Sequence, residues 1–466
     1  MILNSCVSDK ETQDNDIAKQ KTVDYKEIKT RGKLIAVTQY NSTDYFIYRG
    51  NPMGFQKELL QNLSNYLNIP LEIKVNNDLK DCFRGLKNYE YDIVAVGLTI
   101  TKERRDSLLF TEPITKTYQV LVQKMPENWR RMSKKELNKY LIKSPTELIG
   151  KTIYVEKGSS FINRLHNLSE EIGGPINIVE TEDETVEDLI KKVSTGEIEF
   201  TVSDKHIAQV NKTYYNNIDI STKISLEQNL AWALRPDEDT LLQKINSWLN
   251  HFKKTRKYAL LFNKYYKNKR STNKNMAGFI SGSNGEISDY DHIIKAYSKE
   301  IGWDWRLLAS LIYQESRFNN RSKSWAGAFG LMQLMPNTAE RYGIDSLASP
   351  NANIQAGVRF LKWLNEQLSD IKDSTERLKF VLAAYNVGLG HVLDARRLAK
   401  KNGKNPNVWE GNVDYYLLNK SKPKYYRDPV VRYGYCRGEE TYNYVSEIIK
   451  RYEHYKNLVN TDTVPQ

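Results

Sequence analysis

Cysteine is scarce: Cys6, Cys82 and Cys436 are the only three in 466 residues. Their spacing fits neither a disulfide framework nor a metal cluster, so neither a metal nor a cofactor is expected. No apolar run is long enough to cross a membrane as a helix. No block of lysine and arginine stands out either. The net charge is +12, but bases and acids are interspersed, as on a solvated surface, and no nucleic-acid partner is expected. With 40% hydrophobic and 27% charged residues the chain reads as folded, not disordered. Its length suggests about three units of ~150 residues each.

What is present falls into distinct stretches. Aromatic residues reach 11%, with 30 tyrosines; such rings stack on sugars, and AT-rich codon usage raises the same count. Residues 1–28 read as a leader and tether. Within them Leu3-Asn4-Ser5-Cys6 resembles the end of a bacterial lipoprotein signal, which implies a lipid on Cys6 and attachment to the outer membrane. No charged segment precedes it, and Ile2 and Leu3 are all there is of an apolar stretch.

Residues 29–267 alternate between strand and helix patterns. Leu34–Thr38 is a short β-branched run. A helix opened by Gly54-Phe55 places Leu59, Leu60, Leu63 and Leu67 on one face. Leu71–Val75, Tyr91–Val96 and Thr117–Lys124 are further strands. A second series has strands at Lys151–Val155, Ile176–Val179, Phe200–Ser203 and Asn229–Leu234, with helices from Phe161, from Thr185 and over Asp239–Tyr266. Alternation of this kind predicts parallel sheets with helical crossovers. Two such lobes, with the chain crossing between them twice, predict a clamshell with its ligand in the cleft. Residues 125–148 are a charged insertion without an assigned place.

Several short blocks in this region carry a resemblance. They are Gly54-Phe55, Tyr91-Asp92-Ile93, Gly97-Leu98-Thr99-Ile100-Thr101-Lys102-Glu103-Arg104 and Phe110-Thr111-Glu112-Pro113. Together they resemble the family-3 periplasmic solute-binding proteins that take amino acids. The resemblance implies that Arg104, whose planar fork suits a carboxylate, clamps the ligand α-carboxylate. It also implies that Asp204 meets the α-ammonium and that Thr99 adds a hydroxyl. Read as structure alone, Arg104 is an ion-pair residue and Asp204 a helix cap.

A Gly-, Ser- and Asn-rich linker is expected over 268–287, then a mainly helical domain over 288–457 and a tail over 458–466. Ser288 is a candidate cap for a helix from Asp289 to Gly302, and the next helix covers Asp304–Ser316. Leu307, Leu308, Leu311 and Ile312 mark its apolar face, and Glu315 falls on the same stripe. Desolvation disfavours a carboxylate there and raises its pKa, as a general acid requires. Three blocks follow in order: Glu315-Ser316-Arg317-Phe318-Asn319; Ser324 with Gly327 through Pro336; and Ala383-Ala384-Tyr385-Asn386-Val387-Gly388. They resemble the soluble-lytic-transglycosylase (SLT) domain of the goose-type lysozyme superfamily. The resemblance implies that Glu315 is the sole catalytic acid/base. It also implies that Ser324 points at the sugar, that Gln333 and Met335 line the cleft, and that Tyr385 and Asn386 face the carboxyl. Ser324 and Asn386 also suit turns or caps, Gln333 or Tyr385 the support of a loop, and Met335 a core. Tyr435–Val445 resembles the family's final segment, with a glutamate there as a candidate support.

A two-lobed α/β clamshell followed by a lysozyme-like domain resembles the membrane-bound lytic murein transglycosylases of the F group. This implies peptidoglycan glycan strands as substrate, an amino acid or muropeptide in the clamshell, and a periplasmic location at the outer membrane. Two other readings use the same residues: hydrolysis in the manner of goose-type lysozyme, or ligand sensing with a vestigial lysozyme fold.

Overall fold

In the computed structural model, which describes residues 25–182, 184–272 and 285–457, β-branched runs form two separate sheets. The first has the order Leu71–Val75, Leu34–Thr38, Ile93–Thr99, Gln228–Leu234, Leu109–Phe110, with Thr115–Thr117 also on Gln228–Leu234. The second runs Asn177–Thr181, Thr152–Glu156, Phe200–Asp204, Gln119–Lys124, Ile218–Asp219. Each has a parallel core, as the strand–helix alternation predicts. Gln119–Lys124 and Gln228–Leu234, the strands next to the two crossings, pair antiparallel within their sheets. The helix Phe55–Leu67 buries Leu59, Leu60, Leu63 and Leu67, each side chain contributing about 1.5–3 kcal/mol.

Several boundaries differ from the sequence reading. Tyr25–Arg31 is a helix that buries Tyr25 and Ile28, so the first lobe begins inside the expected tether. The strand expected over Thr117–Lys124 is broken at Tyr118. The long helix expected over Asp239–Tyr266 is three pieces, Asp239–Phe252, Arg256–Phe262 and the wide turn Asn263–Lys267. Its restart is capped by Thr255, which accepts from the Tyr258 amide at 3.3 Å. The insertion at 125–148 folds onto the second lobe as short helical turns. The Gln123 amide fastens it, accepting from the Ile142 N–H and donating to the Ile142 carbonyl, both at 2.9 Å. Within the expected linker, Thr272 and Ile287 are buried, so folded chain reaches in from both sides.

The last region is helical. Its first helix is Asp291–Ser298, shorter than expected, because Ser288 donates to Asp291 at 2.8 Å and forms a turn before the helix. Asp304 does cap Trp305–Ser316, accepting from the Arg306 amide at 2.9 Å. That helix packs against Gly438–Lys456, and Ser310 donates to the Ile448 carbonyl at 2.8 Å between them.

The first lobe and the helical domain share one apolar core, which Val210 of the second lobe also joins, whereas most of the second lobe's other buried apolar residues form two clusters of their own. The hairpin Phe46–Tyr48/Asn51–Met53 makes the join. Its turn residue Gly50 has φ +74°, and an added Cβ would lie 2.6–2.7 Å from the Tyr313 and Phe318 rings and the Tyr455 hydroxyl. The Tyr455 hydroxyl donates to the Gly50 carbonyl at 2.6 Å, and Tyr45 Oη lies 3.1 Å from His454 Nδ1.

Candidate active site and ligand cleft

Glu315 sits in the last turn of Trp305–Ser316, which ends where Arg317 turns left-handed at φ +53°. The apolar stripe of Leu307, Leu308, Leu311 and Ile312 is buried beneath it. Burial pushes the Glu315 carboxyl up to about 7, offset in part by a hydrogen bond donated by Tyr444. The carbonyl end of a helix also disfavours a negative charge. The result is a proton-holding carboxyl near neutral pH.

Tyr385 and Asn386 do not bond Glu315. The Tyr385 hydroxyl donates to the Met332 carbonyl at 2.7 Å, and its ring faces Glu315 closely enough for the two to repel as anions. The bond ties the Gly327–Pro336 loop to the Ser374–Val387 helix. Asn386 accepts from Thr441 at 2.7 Å, which fastens the Ser374–Val387 helix to the last one. The phenol on the carboxyl is Tyr444, in the segment where a glutamate was expected. Glu439 and Glu440 instead face solvent, and Glu440 pairs with Arg437. The apolar spacing of Thr441, Tyr444, Val445 and Ile448, all buried, is the signal that could have singled out Tyr444.

The loop between is rigidly held. Gln333 adopts φ +45°, and its amide donates to Ser322 O at 3.0 Å and Gly330 O at 2.8 Å. Gly330 has φ +80°, and a Cβ there would meet the Asn353 amide at 2.3 Å. Asn353 also accepts from the Met332 amide at 2.9 Å. Ser324 Oγ accepts from the Ala328 amide at 3.0 Å, a turn-holding bond. Met335 is 46% exposed, so it is not core.

The second cavity lies between the lobes, with about 110 Å³ of free space. Thr99, Arg104 and Asp204 all line it. Arg104 turns inward, bonding Thr99 O at 3.1 Å and Gly158 O of the other lobe at 3.4 Å, while Arg105 faces solvent. Thr99 Oγ1 donates to Gln228 Oε1 at 3.3 Å. Asp204 stands at the cap position of Lys205–Tyr214, but its side chain makes no capping bond. Its buried Oδ1 has no hydrogen-bond partner. Burial, with Asp44 nearby, pushes the carboxyl up to about 7. Asp44, Glu156 and Glu187 line the same cavity, none of them in a recognisable motif. Ser42 of the first lobe donates through its amide, at 2.9 Å, and its hydroxyl to Glu187 of the second. Among the described residues no group of three or more His, Cys, Asp or Glu could hold a metal ion, and no helix is long and apolar enough to cross a membrane. Cys6 lies outside the described residues.

Comparison with known proteins agrees with this division. Residues 34–268 match the bacterial extracellular solute-binding proteins, family 3, and residues 292–408 match the transglycosylase SLT domain. The chain is similar to the membrane-bound lytic murein transglycosylase F of Desulfosudis oleivorans, at 32% identity over 91% of this chain and 90% of that one. The protein of the same name from Aliivibrio fischeri is 31% identical over 92% of this chain and 83% of that one. Among solved structures, a mutant of ArgBP from T. maritima overlaps 52% of this chain and 99% of its own, with 25% identity and a TM-score of 0.44.

Proposed function

The chain belongs to the membrane-bound lytic murein transglycosylase F family, and on that premise we propose that Glu315 is the single acid/base with which it cleaves peptidoglycan glycan strands. It is a lytic transglycosylase, and the bond it breaks is the β-1,4 link from N-acetylmuramic acid to N-acetylglucosamine. The observation that carries the residue assignment is a carboxyl held near pKa 7 whose ionisation only burial and Tyr444 shift. Protonated Glu315 donates to the glycosidic oxygen. The muramic acetamido group assists at the anomeric carbon. The resulting Glu315 carboxylate takes the proton of the muramic 6-hydroxyl, whose oxygen closes a 1,6-anhydro ring. A second carboxylate ~5–9 Å away, as hydrolysis with a nucleophile or activated water uses, is not needed. Ser324, Gln333, Met335, Tyr385 and Asn386 form and brace the sugar cleft around this group. Mass spectrometry of digested murein tests the reading. Anhydro-muropeptides are expected from the wild type and none from Glu315→Gln; products of hydrolytic mass would reject ring closure.

The clamshell binds an amino acid or a muropeptide through Arg104, Asp204 and Thr99, and its closure modulates access to the Glu315 cleft. The shared core and the Gly50 hairpin favour this, since they join the first lobe to the helix that carries Glu315. Lytic rates with and without a bound ligand test it, and no change at saturation would reject regulation by that ligand. The chain works on the periplasmic side of the outer membrane, held by a lipid on Cys6. Release of Cys6→Ser from the membrane fraction is the expected result.

A further inference from the structure

The cleft between the lobes is unbalanced in charge. Arg104 is the one cation lining it among the described residues, against the carboxylates of Asp44, Glu156, Glu187 and Asp204. His206 also lines it, but burial lowers its pKa to about 4 and keeps it neutral. The carboxylates draw their bonds from neutral donors. Glu187 accepts from Ser42 and from the Asn211 amide at 3.1 Å, Glu156 from the Gln39 amide at 3.3 Å, and Asp44 from the Asn41 amide at 2.9 Å. Donors of this kind lower the cost of an ionised carboxylate without neutralising it, while burial still holds Asp44 up to about 6 and Glu156 and Glu187 up to about 7, so an entering cation is what completes their ionisation. Two polar atoms facing the cleft are unused: Asp204 Oδ1, and the hydroxyl of Ser159, a residue only 9% exposed.

An ordinary amino acid is itself neutral. Its carboxylate takes Arg104 and its ammonium takes Asp204, which leaves Asp44, Glu156 and Glu187 without counter-charge. Charges out of water are costly unless paired. We infer that the clamshell takes an amino acid with a second positive charge, of the lysine, ornithine or arginine kind, whose side-chain cation answers the surplus of Asp44, Glu156 and Glu187. This rests on reading the cleft as an amino-acid site. An acidic side chain meets repulsion in the same place, and an apolar one leaves the carboxylates unpaired.

Isothermal titration of the full chain with L-lysine, L-ornithine, L-arginine, L-glutamine, L-leucine and L-glutamate tests this. A basic amino acid is expected to bind about tenfold or more tighter than glutamine, and glutamate not measurably. Glu156→Gln should bring lysine and glutamine toward parity while leaving the affinity for glutamine close to that of the wild type. Asp44→Asn should act in the same direction. Lysine, ornithine and arginine all binding no tighter than glutamine would overturn the inference, and that comparison needs no variant to fold. If glutamine then binds and Arg104→Ala abolishes it, the amino-acid site stands and only the preference for a cation falls. If none of the six binds the wild type, the amino-acid reading itself falls.

Discussion

Both clefts desolvate carboxyl groups, and they do so to opposite ends. In the cleft of the helical domain burial raises Glu315 to about 7, and its one hydrogen bond comes from the neutral phenol of Tyr444. In the clamshell four carboxyls are raised, Asp44 to about 6 and Glu156, Glu187 and Asp204 to about 7, beside one guanidinium. A lone desolvated carboxyl holds a proton until a substrate oxygen takes it. A desolvated group of carboxyls gives up its protons when a cation enters beside it. Number and partners, not burial, separate the acid from the receptor.

Removing the lone carboxyl should have the largest effect. Glu315→Gln should lower the rate of anhydro-muropeptide release by at least about 10²–10⁴-fold, the usual worth of acid–base catalysis. It should also stabilise the fold at pH 8. An unfolded glutamate ionises near 4.5 and this one near 7, so stability falls as pH rises between those values and the full cost is present above 7. The unfolding midpoint of the variant should exceed that of the wild type at pH 8 and match it at pH 4. Equal midpoints at both pH values would show that Glu315 is not desolvated.

In the clamshell the corresponding change removes the cation. Arg104→Ala should weaken amino-acid binding about 30-fold or more, the usual cost of breaking a buried charge pair, with little effect on basal lysis. Titration calorimetry beside a murein assay reads both. A fall in basal lysis as large as the fall in affinity would mean the two clefts are not separable.

The two clefts should also respond to pH with opposite sign. The acid form of Glu315 is lost as pH rises through about 7. The clamshell carboxylates are lost as pH falls through about 7. Between pH 8 and 6, lysis should therefore gain about tenfold in all while affinity for a basic amino acid declines. Tyr444→Phe sharpens this. Its hydrogen bond lowers the Glu315 pKa, so without it the alkaline limb of the lytic rate should move to higher pH, with a severalfold lower maximum. A limb that stays in place would deny Tyr444 that role.

How much of this the sequence made legible follows from how far apart the partners lie. Glu315 could be placed on a buried stripe because helical period is local. Arg104 and Asp204 carried recognisable surroundings. Tyr444 lies 129 residues from Glu315, and Glu187 lies 145 from Ser42; no local pattern encodes such pairings. The acidic clamshell floor was hidden for the same reason, since Asp44 comes from a turn, Glu156 from the end of a strand and Glu187 from a helix. The break at Tyr118 was missed because strand-forming residues continue across it, and the one at Thr255 because the helix-favouring Lys253, Lys254, Arg256 and Lys257 surround it. Tyr385 was expected to face the carboxyl, and its hydroxyl serves the Met332 carbonyl, a backbone group no residue pattern reveals.

The smallest effect concerns the join between the two regions. Gly50→Ala puts a methyl where two aromatic rings and the Tyr455 hydroxyl already stand at 2.6–2.7 Å, at a backbone φ of +74° that alanine resists. Rings wedged in a shared core cannot swing away as a lysine end could, so the hairpin must back off the catalytic helix, at a cost of about 1–3 kcal/mol. Neither cleft contains Gly50. Its loss should leave amino-acid affinity unchanged and basal lysis within a few-fold, while shrinking any change in lysis that a bound amino acid produces. Murein assays on wild type and variant, each with saturating lysine, measure that difference. An undiminished response would mean that coupling runs by another path, the linker being the first to examine. A response lost together with binding would mean that the hairpin shapes the clamshell itself, because it leads directly from the loop that carries Ser42 and Asp44.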